Sequence, residues 1–399
     1  MQLTGGYPFW LIRDGLLNSY PKLLNNTETN TVIIGGGISG ALTAYYLINA
    51  GIECILVDGR TIGLGSTSAS TSLLQYELDV PLHLLKKKVG NENAERAYQL
   101  CGNAIDTIID IMNDVGFTDY QKAKSLFFSM HRSEKKFMQQ EFVARKEAGF
   151  EVLLLDEKDL KNEYTLEAQY AILSQKGCVI DVYSLTHALL QHSIKKGLQV
   201  FDRTSVEDIR YGKRPVIKTA DGFIINAKNI INATGYEVVN FIPKGIVNFD
   251  CTYAVVSEQA PEQKPFWKNN IMMWNTDDPY LYMRLTKDNR IIIGGRDERF
   301  SNSFTRQAML EKKSKQLQKD FNKVLPHIQF KEEFTWSGTF GKTKDSLPYI
   351  GVYKKTPNTY YALGFGGNGI TFSIIAAEII RDILCEKSNP DVKLFSFDR

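Results

Sequence analysis

The sequence predicts an α/β chain: a parallel-sheet nucleotide-binding unit joined to an α+β part built on an antiparallel sheet. Three observations carry this. Thr31-Val32-Ile33-Ile34 reads as a buried strand, runs into Gly35, Gly37 and Gly40 at G-x-G-x-x-G spacing, and continues into the apolar stretch ALTAYYLINAG. A second apolar strand, Cys54–Val57, ends at Asp58, 23 positions after Gly35. From Ile246 to about Lys331 the pattern becomes a series of short alternating strands before a helix at Phe304–Val324.

The first unit is therefore Rossmann-like. Gly35 allows the tight turn, Gly37 lets the backbone approach a pyrophosphate, and Gly40 lets the helix pack close on the strand. The N–H groups of the helix start, at Ile38 and Ser39, then face the phosphates with the positive dipole end behind them. An acid at Asp58 has the spacing for a ribose hydroxyl. The loop after it, from Gly59 through Gly65, Ser66 and Thr67 to Ser72, is dominated by small residues and lets the backbone lie against a large flat ligand.

Further on, Asn91–Val115 has helical apolar spacing, Ser125–Met130 is a strand, and Ser133–Ala148 a helix opened by a Ser cap. Glu151–Leu155 is a strand and Asp156–Asn162 a short helix. Asp181 caps a helix to about Lys196. Strands at Gln199–Phe201, Ser205–Arg210 and Val216–Thr219 precede an Asp221-Gly222 hairpin turn. Lys228–Ala233 returns to the nucleotide unit and brings Val206, Ala233 and Gly235 toward the ligand. We expect residues 26–88, 152–245 and 334–399 to form a discontinuous nucleotide-binding domain. Residues 89–151 and 246–333 form the second domain, and 1–25 an apolar lead-in beside the first strand.

In the second domain, alternation places Tyr280, Tyr282 and Arg284 on one face of one strand. Paired aromatics on a strand suit a core; an arginine among them is costly to bury unpaired, so this face is a candidate pocket wall. Near the end, a strand at Thr359–Leu363 leads into GFGGNG and a final helix. G-x-G-x-x-G recurs at Gly364, Gly366 and Gly369, but the only later strand, Val392–Phe397, has no well-spaced acid after it. The second glycine turn is read as a helix N-terminus aimed at the same ligand.

Composition narrows the class. The chain has 399 residues, 43% hydrophobic and 23% charged, with net charge +3 and mixed signs, which points to no nucleic-acid or membrane partner. The five cysteines are scattered without C-x-x-C and the five histidines without H-E-x-x-H, so no metal site is expected. With no early basic region followed by a long apolar run, we expect a cytoplasmic protein. The apolar helix Ile370–Cys385 carries Glu378, Arg381 and Asp382 and reads as core, not as a transmembrane segment.

Taken together, VIIGGGISGALTAYYL, DGRTIGLGSTSAS, NATGY, IIIGG and DSLPYIG followed by GFGGNGI resemble the FAD-dependent oxidoreductases of the D-amino-acid oxidase type, among them glycine, sarcosine and γ-glutamylputrescine oxidases. The resemblance implies FAD as cofactor, with Gly35, Gly37 and Gly40 at the pyrophosphate and Asp58 at the ribose, where the family mostly has Glu. It implies Arg60, Ser66 and Thr67 in the cofactor loop, Val206 and Gly235 on the adenine side, and Gly366, Gly367, Asn368, Gly369 and Ile370 under the flavin. Ala69 stands where some members attach flavin through His, and no Cys lies in 336–370, so the FAD is expected to be non-covalent. Phe340 and Gly367 match positions where glycine oxidase has carboxylate-binding arginines, and Ile291–Ile292 the region of an oxygen-activating lysine. The implied activity is oxidation of a C–N bond in an amine or amino acid by hydride transfer to flavin, with oxygen or an electron carrier as acceptor. A dehydrogenase of a 2-hydroxy acid or alcohol, and a non-catalytic flavin-binding protein, remain open. Tyr280, Tyr282 and Arg284 are the candidate pocket residues, with Tyr253 and Lys342 behind them.

Overall fold

The computed structural model describes residues 3–240, 242, 245–260, 271–299 and 302–399. The nucleotide sheet runs in the order Gln199–Phe201, Cys54–Val57, Thr27–Ile34, Ile224–Asn232, Thr359–Leu363, all parallel, with Tyr349–Val352 antiparallel at the edge. Strands covered on both faces read as continuous apolar runs, and the side chains sort by period two. Ile33 and Leu56 enter the core under the helices Ile38–Asn49, Val182–Lys195 and Gly369–Leu384. Val32, Ile34, Ile55 and Val57 face the opposite side, against Ile217 and Ile225 of the antiparallel flap that follows. Gly222, at φ +88°, makes the flap's turn.

The second sheet has nine strands, in the order Thr4–Gly6, Glu332–Thr343, Val247–Ser257, Ile291–Arg299, Tyr282–Leu285, Ile271–Asn275, Lys124–Ser129, Tyr170–Ser174, Val152–Asp156. Three placements differ from the expected domain division. Val152–Asp156 and Tyr170–Ser174 pair with each other and with Lys124–Ser129, so they belong to this sheet and not to the nucleotide sheet. Glu332–Thr343 pairs along the length of Val247–Ser257. The long helix Asn91–Asp114 shares its core with Gly369–Leu384 on the nucleotide side. Apolar periodicity identifies such elements but not the sheet that they join.

Three further expectations are corrected. Only the end of the lead-in lies beside the first strand, where Leu23 packs with Val32 and Ile34. Thr4–Gly6 extends the nine-stranded sheet, and Trp10 is fully buried with its Nε1 donating to Ser70 O at 2.7 Å. Val392–Phe397 is not a strand but a short 3-10 turn at Pro390–Val392 followed by turns, with Phe395 plugged into the helical core. The helix expected from Ser133 starts at Lys135, after a 3-10 turn, without a Ser cap. Asp181 does cap its helix, accepting from Tyr183 N at 2.9 Å and Ser184 N at 3.1 Å.

The joint between the two sheets holds a charge cluster with no exposure. Arg145 Nε donates to Glu141 at 2.7 Å and Nη1 to Glu77 at 3.1 Å, while Glu141 also accepts from Leu82 N and from the His83 N–H and ring. Burial alone would raise the Glu141 carboxyl, but Arg145 and His83 outweigh it and hold it at about 2. Removing the cation strands two buried carboxylates, a loss of about 3–5 kcal/mol. Arg145→Met should therefore lower the urea-unfolding free energy by that order at pH 7. In the native protein, Glu141's contribution is complete above its unfolded pKa near 4.5 and should fall away as the pH drops toward 2, read from denaturation midpoints across that range.

Candidate active site

Two helices start on one cavity. The Ile38–Asn49 helix begins after Gly37 and the Gly369–Leu384 helix after Asn368, and in neither does the N-cap residue itself cap the helix through its side chain. Gly37, Ile38 and Ser39 line one wall of a cavity of about 620 Å³, and Asn368, Gly369, Ile370 and Thr371 another. The two helices are tied at this end. Ser373 Oγ donates to Gly369 O at 2.6 Å, so the 2.6 Å contact with Ser39 has Ser39 as donor. The Asn368 Nδ2 donates to Gln75 O and Glu77 O, and its side chain makes no cap bond to the helix. Gly35, at φ +112°, lies against the Ala233 turn; a Cβ there would sit 2.4 Å from Ala233 O. Gly40 faces away from the cavity, where a Cβ would come 1.9 Å from Gly35 O, so its role is close packing.

At one end of the cavity, Asp58 accepts from Gly36 N at 2.6 Å and Arg60 N at 2.7 Å. Burial pushes its carboxyl up and these two N–H groups pull it back. Val206, Ala233, Gly235 and Gly59 line the same end. Arg60 closes it with a two-pronged pair to Glu237, at 2.8 and 2.7 Å. Between the ends, Gly65, Ser66 and Thr67 form a short helical turn; Thr67 Oγ1 takes the Ile38 N–H at 3.0 Å, and Ser66 Oγ is buried without a protein partner.

The other end belongs to the nine-stranded sheet. Tyr282 lies opposite Gly294, and a Cβ on Gly294 would fall 2.2 Å from the phenol ring. The glycine of IIIGG thus makes room for the ring. Tyr280 stacks at an angle on Tyr282, with centroids 5.7 Å apart, and edge-on to Trp274. Asp79 links this wall to the second glycine turn, accepting from Tyr280 Oη and from Gly367 N, both at 2.9 Å. Its carboxylate lies so close that a Cβ on Gly367 would be 2.4 Å away. Past Gly295, the pairing with Val247–Ser257 shifts, leaving one extra residue where Arg296 takes φ +57°. Arg296 turns out to Asp320, and Asp297 lines the cavity. Burial raises the Asp297 carboxyl to about 6, with Thr252 and Lys342 opposing and Asp79 and Asp250 adding to the rise.

Of the expected site residues, all lie on the cavity wall except Gly40 and Arg284. Arg284 shares the face of Tyr282 but lies one side-chain step, about 7 Å, further along the strand. Its Nη1 donates to Ser72 O, Ile180 O and Thr71 O, its Nε to Leu285 O, and its guanidinium sits over Trp10. It is a satisfied residue that holds the 71–72 wall, not one that meets a ligand. Of the two weaker candidates, Tyr253 is core and Lys342 pairs with Asp250 at 2.9 Å. Asp79, Thr252, Glu237 and Asp297 went unnoticed in the sequence. Each is a lone polar residue outside any spacing pattern, and only the glycines beside Asp297 hinted at a special backbone.

Residues 30–383 match the DAO family, described as FAD dependent oxidoreductase. The chain belongs to this family. It is 24% identical over 389 residues to a putative Rieske 2Fe-2S iron-sulfur protein of Bacillus subtilis, covering 96% of this chain and 74% of that protein. It is 22% identical to the γ-glutamylputrescine oxidoreductase of Escherichia coli, over 90% of this chain and 85% of that one. The fold of glycine oxidase from Geobacillus kaustophilus superposes with a TM-score of 0.79 at 18% identity, covering 93% and 99% of the two chains. The family's cofactor is FAD, and the cavity suits it: two helix N-termini for its anionic parts, a buried acid with free lone pairs, and an orphaned serine hydroxyl. Among the described residues, no helix is long and apolar enough to cross a membrane.

A large side chain at Gly37 would enter the cavity where its Cβ already crowds Thr67 Oγ1 at 2.8 Å. Gly37→Leu should fold yet purify colourless, with the ratio of bound flavin to protein falling at least about tenfold, the loss of one charge-assisted contact or more. A fully yellow variant would contradict the placement.

Proposed function

We propose that this enzyme oxidises the C–N bond of a small primary or secondary amine or amino acid, with non-covalent FAD in the cavity. Bound FAD would supply the acceptor for the hydride that leaves the carbon next to nitrogen. In this reading Gly35, Gly37, Ile38 and Ser39 hold the pyrophosphate, Asp58 the ribose, and Arg60 with Glu237 closes the adenine end. Gly366 to Ile370 support the flavin with a helix dipole that favours negative charge there. Tyr280 and Tyr282 would form the wall against which substrate lies, excluding water while the reacting carbon meets the cofactor.

The observation that carries an amine over a hydroxy acid is the charge of the substrate end. Asp79 and Asp297 line it, and the only basic side chain among the described lining residues is Arg60, paired with Glu237 at the far end. A 2-hydroxy acid would bring a carboxylate and no cationic group of its own to meet these acids, whereas an amine or amino acid brings an ammonium. All five cysteines are free, which supports a reducing, cytoplasmic setting.

The test is anaerobic incubation of the yellow protein with a panel of amines, amino acids and 2-hydroxy acids, followed by flavin absorbance. Bleaching by amine-type compounds is expected and bleaching by hydroxy acids is not. Admitting air should return the colour with hydrogen peroxide if oxygen is the acceptor, and a carrier would be needed if the colour stays lost. Bleaching by hydroxy acids alone, or by nothing in the panel, would sink the reading.

A further inference from the structure

We infer that Asp297 selects the substrate by holding a cationic nitrogen, so that the preferred substrates are alkylamines or diamines without a carboxylate beside the reacting carbon. The inference deepens the amine-oxidation reading and rests on it for the identity of the site.

The geometry comes first. The extra residue at Arg296 breaks the alternation of its strand, so Arg296 leaves for Asp320 while Asp297 reaches the cavity. Asp297 Oδ1 is buried and has no hydrogen-bond partner in the protein. A buried carboxylate oxygen left without a donor is costly, and native structures supply one from a ligand or water when the protein does not. The neighbours are already committed. Tyr280 Oη donates to Asp79, and Tyr282 Oη shares a 3.1 Å contact with Thr252. What the two tyrosines offer the cavity is ring surface, which attracts a cation. Lys342, the nearest base, is spent on Asp250 and lies off the wall. An α-amino acid would set its carboxylate among Asp79, Asp297 and two phenol rings, where the base that faces Asp297, Lys342, is already paired with Asp250. An alkylammonium finds aromatic faces and a carboxylate that keeps one oxygen without a partner, and this carboxylate can take the ammonium proton before hydride leaves the neighbouring carbon.

The same groups set the pH dependence. Asp297 is faced by Thr252 and Asp250 from one strand, Lys342 from the next, Asp79 from the loop, and Tyr280 and Tyr282 from its other side. Its carboxyl titrates near 6, so cation binding should strengthen as the pH rises through that value and persist until the amine loses its own proton, near 10 for an alkylamine.

The experiment uses the FAD-loaded protein without oxygen. n-Butylamine and, separately, glycine are titrated into wild type, Asp297→Asn and Asp297→Glu, with binding read by calorimetry and by perturbation of the flavin spectrum, apart from bleaching. We expect n-butylamine to bind wild type more tightly than glycine does, and Asp297→Asn to weaken it at pH 7.5 by about tenfold or more, the scale of one hydrogen bond to a charged group. Asp297→Glu should retain more of the affinity than Asp297→Asn. The inflection near pH 6 should vanish in Asp297→Asn, a change that a merely structural role would not produce. Should Asp297→Asn fail to load FAD, the wild-type pH profile and the Glu variant decide. Equal binding of n-butylamine by wild type and Asp297→Asn, or tighter binding of glycine than of n-butylamine, would overturn the inference. Binding through Asp297 with no bleaching would sink the oxidation reading alone, and bleaching by glycine without n-butylamine binding would sink this inference alone.

Discussion

The positive ends of two helix dipoles are brought to one cavity, and much of the remaining structure answers that fact. Each helix N-terminus presents the equivalent of about half a positive charge, and two of them facing one space repel unless something negative lies between. The fold fixes them together all the same. Gly40 lets the first helix close on its strand, and Ser39 and Ser373 bond across the two. Asp58 beside Gly36 and Asp79 beside Gly367 each accept an N–H from a glycine turn and offset part of the charge. The remainder suits an anionic cofactor with negative charge at two separated places, a pyrophosphate and a reducible ring.

The nine-stranded sheet meets this cavity through backbone irregularity more than through sequence pattern. In IIIGGRDER, Gly294 gives space to the Tyr282 ring, Gly295 lets the chain pass Tyr280 O, and the extra residue at Arg296 reverses which side chains face inward. Bulges next to active sites re-aim a side chain in this way. Arg284 supports the same wall from behind by gathering three carbonyls, two of them from residues that line the cavity. A buried guanidinium is expensive, and here its cost is offset by four hydrogen bonds and the face of Trp10. Trp10 in turn bonds Ser70 O, so the N-terminal segment takes part in shaping the loop that lines the cavity.

How legible this was in the sequence follows from the physics of each part. The nucleotide unit was readable because backbone approach to a phosphate demands glycine at fixed spacing, and buried parallel strands demand continuous apolar residues. Gly35 to Gly40, Asp58 and the 364–369 turn all announced themselves. Of the expected face, Tyr280 and Tyr282 both line the cavity, although the strand begins only at Tyr282; alternation tells side and not depth, and Arg284 lay one step too far along. Sheet membership of Val152–Asp156 was invisible, since an apolar pentapeptide pairs equally well with either sheet. Asp79 and Asp297 escaped because a single carboxylate has no period; their setting is made by a loop and a bulge that only the folded chain displays.

Asp79 ties the second glycine turn to the wall that carries Tyr280. One of its oxygens takes the N–H of the turn that opens the C-terminal helix, and the other takes the hydroxyl of Tyr280 on the facing wall of the cavity. Both ends of that carboxylate are occupied by the protein, which leaves Asp297, with its unpartnered oxygen, as the acid free to meet a ligand. A charge change on either side of Asp79 is felt on the other across a short, poorly screened distance. Negative charge gathering at the helix end raises the cost of ionising the acids beside it, and a cation near Asp297 lowers it. A cationic substrate and a cofactor that becomes more negative as it is reduced are therefore electrostatically complementary partners for this cavity, whereas an anionic substrate would work against both.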